Sequence, residues 1–130
     1  MTKGLTKLKA LTLGSNQLTG TISPEFFNDL VSLERLSLEN NMIIGQLPDA
    51  FGNLPLLQEI RLGQNRLSGR IPPSLFGGNS NTGNGGIRGA RGMQQGTQAR
   101  TSLLTKCDLN GNLFTGELPK AISNGAPSLK

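Results

Sequence analysis

Few side chains in this sequence could do covalent chemistry, and none has the partner that a reaction would need. There is no histidine, so neither a Ser-His nor a Cys-His nucleophile pair can be assembled. The single thiol, Cys107, allows no internal disulfide and no thiolate zinc site. Glu34 with Glu39, and Asp108 with Glu117, are close enough in sequence to be imagined as acid–base pairs. Their places in the pattern below are outward strand or turn positions, where a solvated carboxylate is the expected state. The Gly-rich stretch 77–102 lacks the Gly-Lys-Ser/Thr ending of a phosphate-binding loop. No catalytic residue, metal ligand or cofactor site is expected.

What remains is non-covalent recognition, and the residues that would carry it recur at a fixed spacing. They are Thr12, Ser37, Glu39, Glu59, Arg61, Gln64, Lys106, Asp108 and Asn110. Each falls within a Leu-x-Leu-type triplet, just before it (Glu59, Lys106) or just beyond it (Glu39, Gln64, Asn110). Two apolar residues flanking a variable one are strand alternation: the apolar pair points in and the middle residue points out.

The elements that must position them are read best from residues 54–72, LPLLQEIRLGQNRLSGRIP. Leu54, Leu57, Ile60 and Leu62 are spaced three, three and two apart, which is neither a helix nor a simple strand. The pattern recurs. One copy is Leu8, Leu11, Leu13, Asn16, Leu18, Gly20, Ile22, and another is Leu33, Leu36, Leu38, Asn41, Ile43, Gly45, Leu47, Pro48. The last is Leu104, Cys107, Leu109, Asn112, Phe114, Gly116, Leu118, Pro119. The Asn-to-Asn steps are 25, 24 and 47. Short parallel strands are expected near residues 10–13, 35–38, 59–62 and 106–109.

The other repeated residues have physical reasons. Asn16, Asn41, Asn65 and Asn112 follow the strands, where an amide can donate to and accept from backbone groups of adjacent coils as a ladder. Gly20, Gly45, Gly69 and Gly116 suit a bend where φ is positive or a side chain is unwelcome. Phe26, Phe51, Leu75 and Ile122 are expected to plug the far side of each coil from a short helical turn. One unit cannot repay its own ordering entropy, so neighbours must stack in a quasi-one-dimensional array.

The repeats LTLGSNQLTGTI, LSLENNMIIGQLP, IRLGQNRLSGRIP and CDLNGNLFTGELP resemble the plant-type leucine-rich repeat. The resemblance implies an α/β right-handed solenoid, a segment of a horseshoe. Its parallel sheet of short strands would line the concave side, with short helical turns on the convex side. It also implies a part in receptor-like kinase or receptor-like protein ectodomains, or in inhibitors of wall-degrading hydrolases. The domain reading is repeats 1–3 over 1–76, a Gly/Asn/Gln-rich disordered insertion over 77–102, and repeat 4 with the start of a fifth over 103–130. A piece of a longer array is expected, because Leu5 and Leu8 begin inside a repeat and Leu129 begins another.

Composition narrows the partner. Apolar residues make up 35% of the chain, with neither Trp nor Tyr. The formal charge is +5, and residues 61–107 hold basic but no acidic side chains. That excess is expected to be a solvated face and loop. A nucleic-acid partner is disfavoured, since the one Arg-Gly stretch, IRGARG, has no aromatics. No stretch approaches a membrane span, and MTKGLTKLKALTLG lacks the apolar run of an export signal. Localisation is open from this chain, and would be the extracellular face or the membrane if the parent is receptor-like. The outward rows are polar and mixed in sign, which fits a protein or peptide partner. An array binding ice or polysaccharide would want unbroken Thr or Ser rows, and Arg61 and Asp108 interrupt Thr12 and Ser37.

Overall fold

The computed structural model describes residues 4–77 and 103–117. Within them the chain winds as four stacked coils. Each coil contributes a three-residue strand to one parallel sheet: β1 (Ala10–Thr12), β2 (Arg35–Ser37), β4 (Glu59–Arg61) and β6 (Lys106–Asp108). They lie in the order β1-β2-β4-β6. The strands end one residue earlier than the sequence pattern had suggested, before the second leucine of each triplet. The register is that of the repeat: Leu11 pairs with Leu36, Leu36 with Ile60, and Ile60 with Cys107. Identical spacing brings equivalent residues side by side, so the inward row is continuous and aliphatic. Leu36, Ile60 and Cys107 are buried, and Leu11 packs half-buried against them.

The three-residue leucine spacing that precedes each strand is a turn. Leu8 N–H donates to Leu5 carbonyl at 3.1 Å, Leu33 to Leu30 at 3.0 Å and Leu57 to Leu54 at 3.2 Å. Such tight bonds bring residues three apart onto one side, which is why the spacing of three buries Leu30, Leu33, Leu54 and Leu57 together.

A second parallel sheet was not anticipated. It comprises β3 (Ile44–Gln46), β5 (Arg66–Gly69) and β7 (Leu113–Phe114), in the order β3-β5-β7. Its partners are staggered by two residues from the repeat frame: Ile44 faces Arg66, and Ser68 faces Leu113. The stagger is compatible with glycine at the bend. Gly45, Gly69 and Gly116 have φ of +84°, +74° and +86°, and a side chain on Gly45 would come within 2.9 Å of Thr21 Cγ2.

On the side away from the first sheet stand 3-10 turns at Pro24–Phe27, Phe51–Asn53 and Pro73–Phe76. Phe51 and Leu75 fill the coil from there, as expected. In the first coil the plug is Phe27, fully buried, and not Phe26, which is half-buried against its edge. That coil carries one residue more than the next, which moves the inward position on by one. The Phe27 ring also meets Phe51, with centroids 5.0 Å apart. Ile122, residues 78–102 of the expected insertion 77–102 and the start of a fifth repeat lie outside the described residues.

Candidate functional site

The outward residues of the first sheet form two rows. One holds Ala10, Arg35, Glu59 and Lys106; the other holds Thr12, Ser37, Arg61 and Asp108. The first row and Arg61 meet at one carboxylate. Arg61 Nε donates to Glu59 Oε1 at 2.6 Å, while Lys106 Nζ lies 3.6 Å and Arg35 Nε 3.7 Å from the same group. Three cations thus share Glu59. Burial raises the Glu59 pKa, but the Arg61 hydrogen bond and charge, with Lys106, outweigh it and hold the carboxyl below the ordinary carboxylate value.

The sign of the pH effect follows. A carboxyl whose pKa is lower folded than unfolded stabilises the fold above its unfolded value, near 4.5. That stability is lost as pH falls through the folded value. Partners this exposed keep the contribution to about 1 kcal/mol or less. Glu59→Gln should therefore flatten the acid limb of a thermal-stability profile below about pH 4.5. An unchanged limb would contradict the network.

The second row leads to a different pair of carboxylates. Glu39 accepts from Ser37 Oγ, and its carboxyl lies over Gly14, where a Cβ would meet it at 2.7 Å. Asp108 accepts from Asn110 N–H at 3.0 Å and lies over Gly63. Gln64 donates to Asn110 Oδ1 at 3.1 Å. Gly14 and Gly63 therefore leave room for their neighbours' carboxylates. Neither Glu39 nor Asp108 joins an ion pair among the described residues.

Five of the expected residues, Glu39, Arg61, Lys106, Asp108 and Asn110, line one open hollow of about 640 Å³. Thr12 stands apart on the edge strand β1. Ser37 is buried beneath Glu39, and Gln64 stands beside the hollow through Asn110. Thr105 and Cys107 line the hollow too, and were not among the expected site residues. Thr105 precedes the strand, outside the outward rows, and its hydroxyl donates to Gln58 carbonyl at 3.1 Å. Cys107 occupies an inward position, which gave no signal for a wall.

Burial pushes the Cys107 thiol up to about 12, with Asp108 adding to the shift. The thiolate is the reactive form. Cys107 should resist a disulfide reagent at pH 8 while folded and titrate as one thiol after denaturation. Full labelling of the native chain would refute the burial.

The four ladder asparagines all lie on one line behind the strands. Asn41 Nδ2 donates to Leu13 and Leu38 carbonyls at 3.0 and 2.9 Å, and its Oδ1 accepts from Leu18 N–H at 3.0 Å. Asn65 repeats this with Leu38, Leu62 and Ile43 N–H. Asn112 repeats it with Leu62, Leu109 and Leu67 N–H. Asn16 donates within its own coil, to Leu13 and Gly14 carbonyls. The residue before each asparagine has positive φ: Ser15, Asn40, Gln64 and Gly111 lie between +54° and +63°. That left-handed step aims the amide along the stack.

Among the described residues no three His, Cys, Asp or Glu side chains cluster as a metal site. No helix there is long and apolar enough to cross a membrane.

A repeat frame held by an asparagine ladder, with two parallel sheets and one open polar face, defines a class before any comparison. Models of the leucine-rich repeat match residues 1–43, and 56–78 with 103–124. The chain belongs to the leucine-rich-repeat family, in its plant-type form. Similar solved structures are plant receptor ectodomains and complexes. Pollen Receptor Kinase 3 is 33% identical over 90% of this chain and 45% of that one, with a TM-score of 0.67. The BIR3–SERK2 complex from Arabidopsis thaliana is 25% identical over 90% and 50%, at 0.68. PEPR1–AtPEP1 is 30% identical over 96% and 14%, at 0.65. This chain thus spans about half the length of the first two. No curated protein matches it.

Proposed function

We propose that this chain is a non-catalytic recognition module of a receptor-like protein, binding a protein or peptide across β1, β2, β4 and β6. The observation that carries this reading is the hollow shared by Glu39, Arg61, Lys106, Asp108 and Asn110. Its charges of both signs stand on backbone fixed by the parallel ladder, so a partner meets groups that need little further ordering. The mixed signs favour a partner with polar side chains of its own over a lipid or a uniform polyanion. Two of the similar structures are complexes, BIR3 with SERK2 and PEPR1 with AtPEP1, which accords with a protein or peptide partner. The non-catalytic reading rests on the lack of histidine and on carboxylates held by cations or neutral donors.

The test uses peptides selected from a random display library on the full chain. Arg61→Ala with Asp108→Ala should weaken the selected peptides roughly tenfold, about 1.4 kcal/mol, and leave the circular dichroism spectrum unchanged. Unchanged affinity would remove the concave face as the site.

A further inference from the structure

The charges of the concave face are sorted by sign along the strand direction. At the strand starts, Arg35, Glu59 and Lys106 share one register row. Arg61 turns its guanidinium back to that row, with Nε 2.6 Å from Glu59 Oε1. Three cations face one carboxylate there, so this margin keeps an excess of positive charge. Lys9 and Glu34, just ahead of β1 and β2, lie 3.5 Å apart and cancel each other.

Toward the strand ends the sign reverses. Glu39 stands one residue past Leu38, and the same place in the neighbouring coils is held by Gly14 and Gly63, which bring no side chain. The Glu39 carboxyl lies over Gly14 and accepts from Ser37 Oγ. Asp108 turns back toward the third coil. Its oxygens lie 3.0 and 3.1 Å from where a Cβ on Gly63 would stand, and one accepts from Asn110 N–H. The donors on these two carboxylates are a hydroxyl and an amide, both neutral, and neither carboxylate meets a cation among the described residues. From Glu59 to Gly63 is about 13 Å of extended backbone. That exceeds the screening length of roughly 8 Å at physiological salt, so the two margins act on a ligand as separate fields.

An extended peptide laid across the four strands matches this sorting. With its backbone flat on the sheet, successive side chains point to opposite sides. One set reaches the strand starts and the other the strand ends. Residues two apart in the peptide advance about 7 Å, and two strand spacings are about 10 Å, a difference that long Glu and Lys side chains take up. We propose that the concave face selects an extended peptide whose acidic and basic side chains alternate, the acidic ones on Arg35 and Lys106 and the basic ones on Glu39 and Asp108. The inference rests on the recognition reading and adds to it the charge pattern of the ligand and the way it lies. A uniform polyanion would set half its charges against Glu39 and Asp108, and a uniform polycation half against Arg35 and Lys106.

Two synthetic peptides of equal length and composition test this on the full chain by fluorescence anisotropy at physiological ionic strength. One alternates Glu and Lys throughout; the other carries all its Glu before all its Lys. The alternating peptide should bind roughly tenfold more tightly. Glu39→Gln with Asp108→Asn should erase that preference. Both substitutions keep the side-chain shape, and the new amide oxygen can still accept from Asn110 N–H, so the urea midpoint should stay close to that of the native chain. Equal affinity of the native chain for the two peptides, or binding of neither, overturns the proposal. So does a preference that survives the loss of both carboxylates. The recognition reading fails separately, through the display-selected peptides. Selected peptides that need Arg61 and Asp108 but carry no alternation overturn the charge pattern alone.

Discussion

Asn65→Ala should cost the fold about 3 kcal/mol, while Asn16→Ala should cost a few tenths at most. Both replace the same residue at the same place in the repeat. The difference lies in what each amide holds. Asn65 is only 6% exposed. It donates to Leu38 carbonyl at 2.9 Å and Leu62 carbonyl at 3.1 Å, and it accepts from Ile43 N–H at 3.1 Å. Truncation strands backbone groups of two coils in an interior that water does not reach. A single buried group left unpaired costs roughly 1–3 kcal/mol. Asn16 is exposed, and water can replace what it provides. A domain of this size has roughly 5–15 kcal/mol in total, so the Asn65 variant should show a large drop in urea midpoint. Equal midpoints for the two variants would refute the ladder as a source of stability.

Phe27→Ala should cost about 3–5 kcal/mol, and Phe26→Ala well under half of that. Phe27 has no exposed surface, and its ring rests on Phe51 at a centroid distance of 5.0 Å. Removing it opens a cavity between the first and second coils, with Leu30 and Leu33 on the same buried side. Hydrogen-bonded strands on one wall and the 3-10 turns Pro24–Phe27 and Phe51–Asn53 on the other limit collapse into that space. Phe26 is half-buried and meets Phe27 edge-on, with centroids 5.5 Å apart. Its loss exposes a flank without hollowing the coil. Chemical denaturation of the two variants separates these cases. A larger loss for Phe26 would put the plug where the repeat frame alone had placed it.

That frame is also where sequence reasoning succeeded and failed. The first sheet was legible because one rule, Leu-x-Leu at a constant repeat, sets both the inward face and the register. Leu11, Leu36, Ile60 and Cys107 line up for that reason alone. The second sheet was not legible. Ile44–Gln46 and Arg66–Gly69 have no alternation of their own, each carries a glycine, and a stagger of two residues hides their pairing. Phe27 was missed because an insertion of one residue shifts a half-turn without changing the apolar pattern around it. Of the site, the outward rows were legible from alternation. The sharing of Glu59 by three cations was not, since it depends on side chains reaching across strands. Nor was the placement of Glu39 and Asp108 over Gly14 and Gly63, which depends on an empty position one coil away.

The in-register docking of β6 on β4 bears on the order in which the solenoid assembles and comes apart. Equivalent residues in the first three coils are 24 or 25 apart in sequence, but 47 separate Ile60 from Cys107. Doubling the length of a chain closure adds only about 0.6 kcal/mol, so the longer separation weakens the docking of β6 little, while contacts further apart in sequence form later. Among the described residues β6 closes the longest separation, so it is the last of β2, β4 and β6 to join, and it opens ahead of β2 and β4, which are paired on both sides. Its amides should exchange with solvent deuterium ahead of those in β2 and β4. Much of the wall of the proposed binding hollow, Lys106 to Asn110, therefore belongs to a coil that opens before β2 and β4. A bound ligand would act there as a clamp, and would raise the apparent unfolding temperature with the logarithm of its concentration over its Kd.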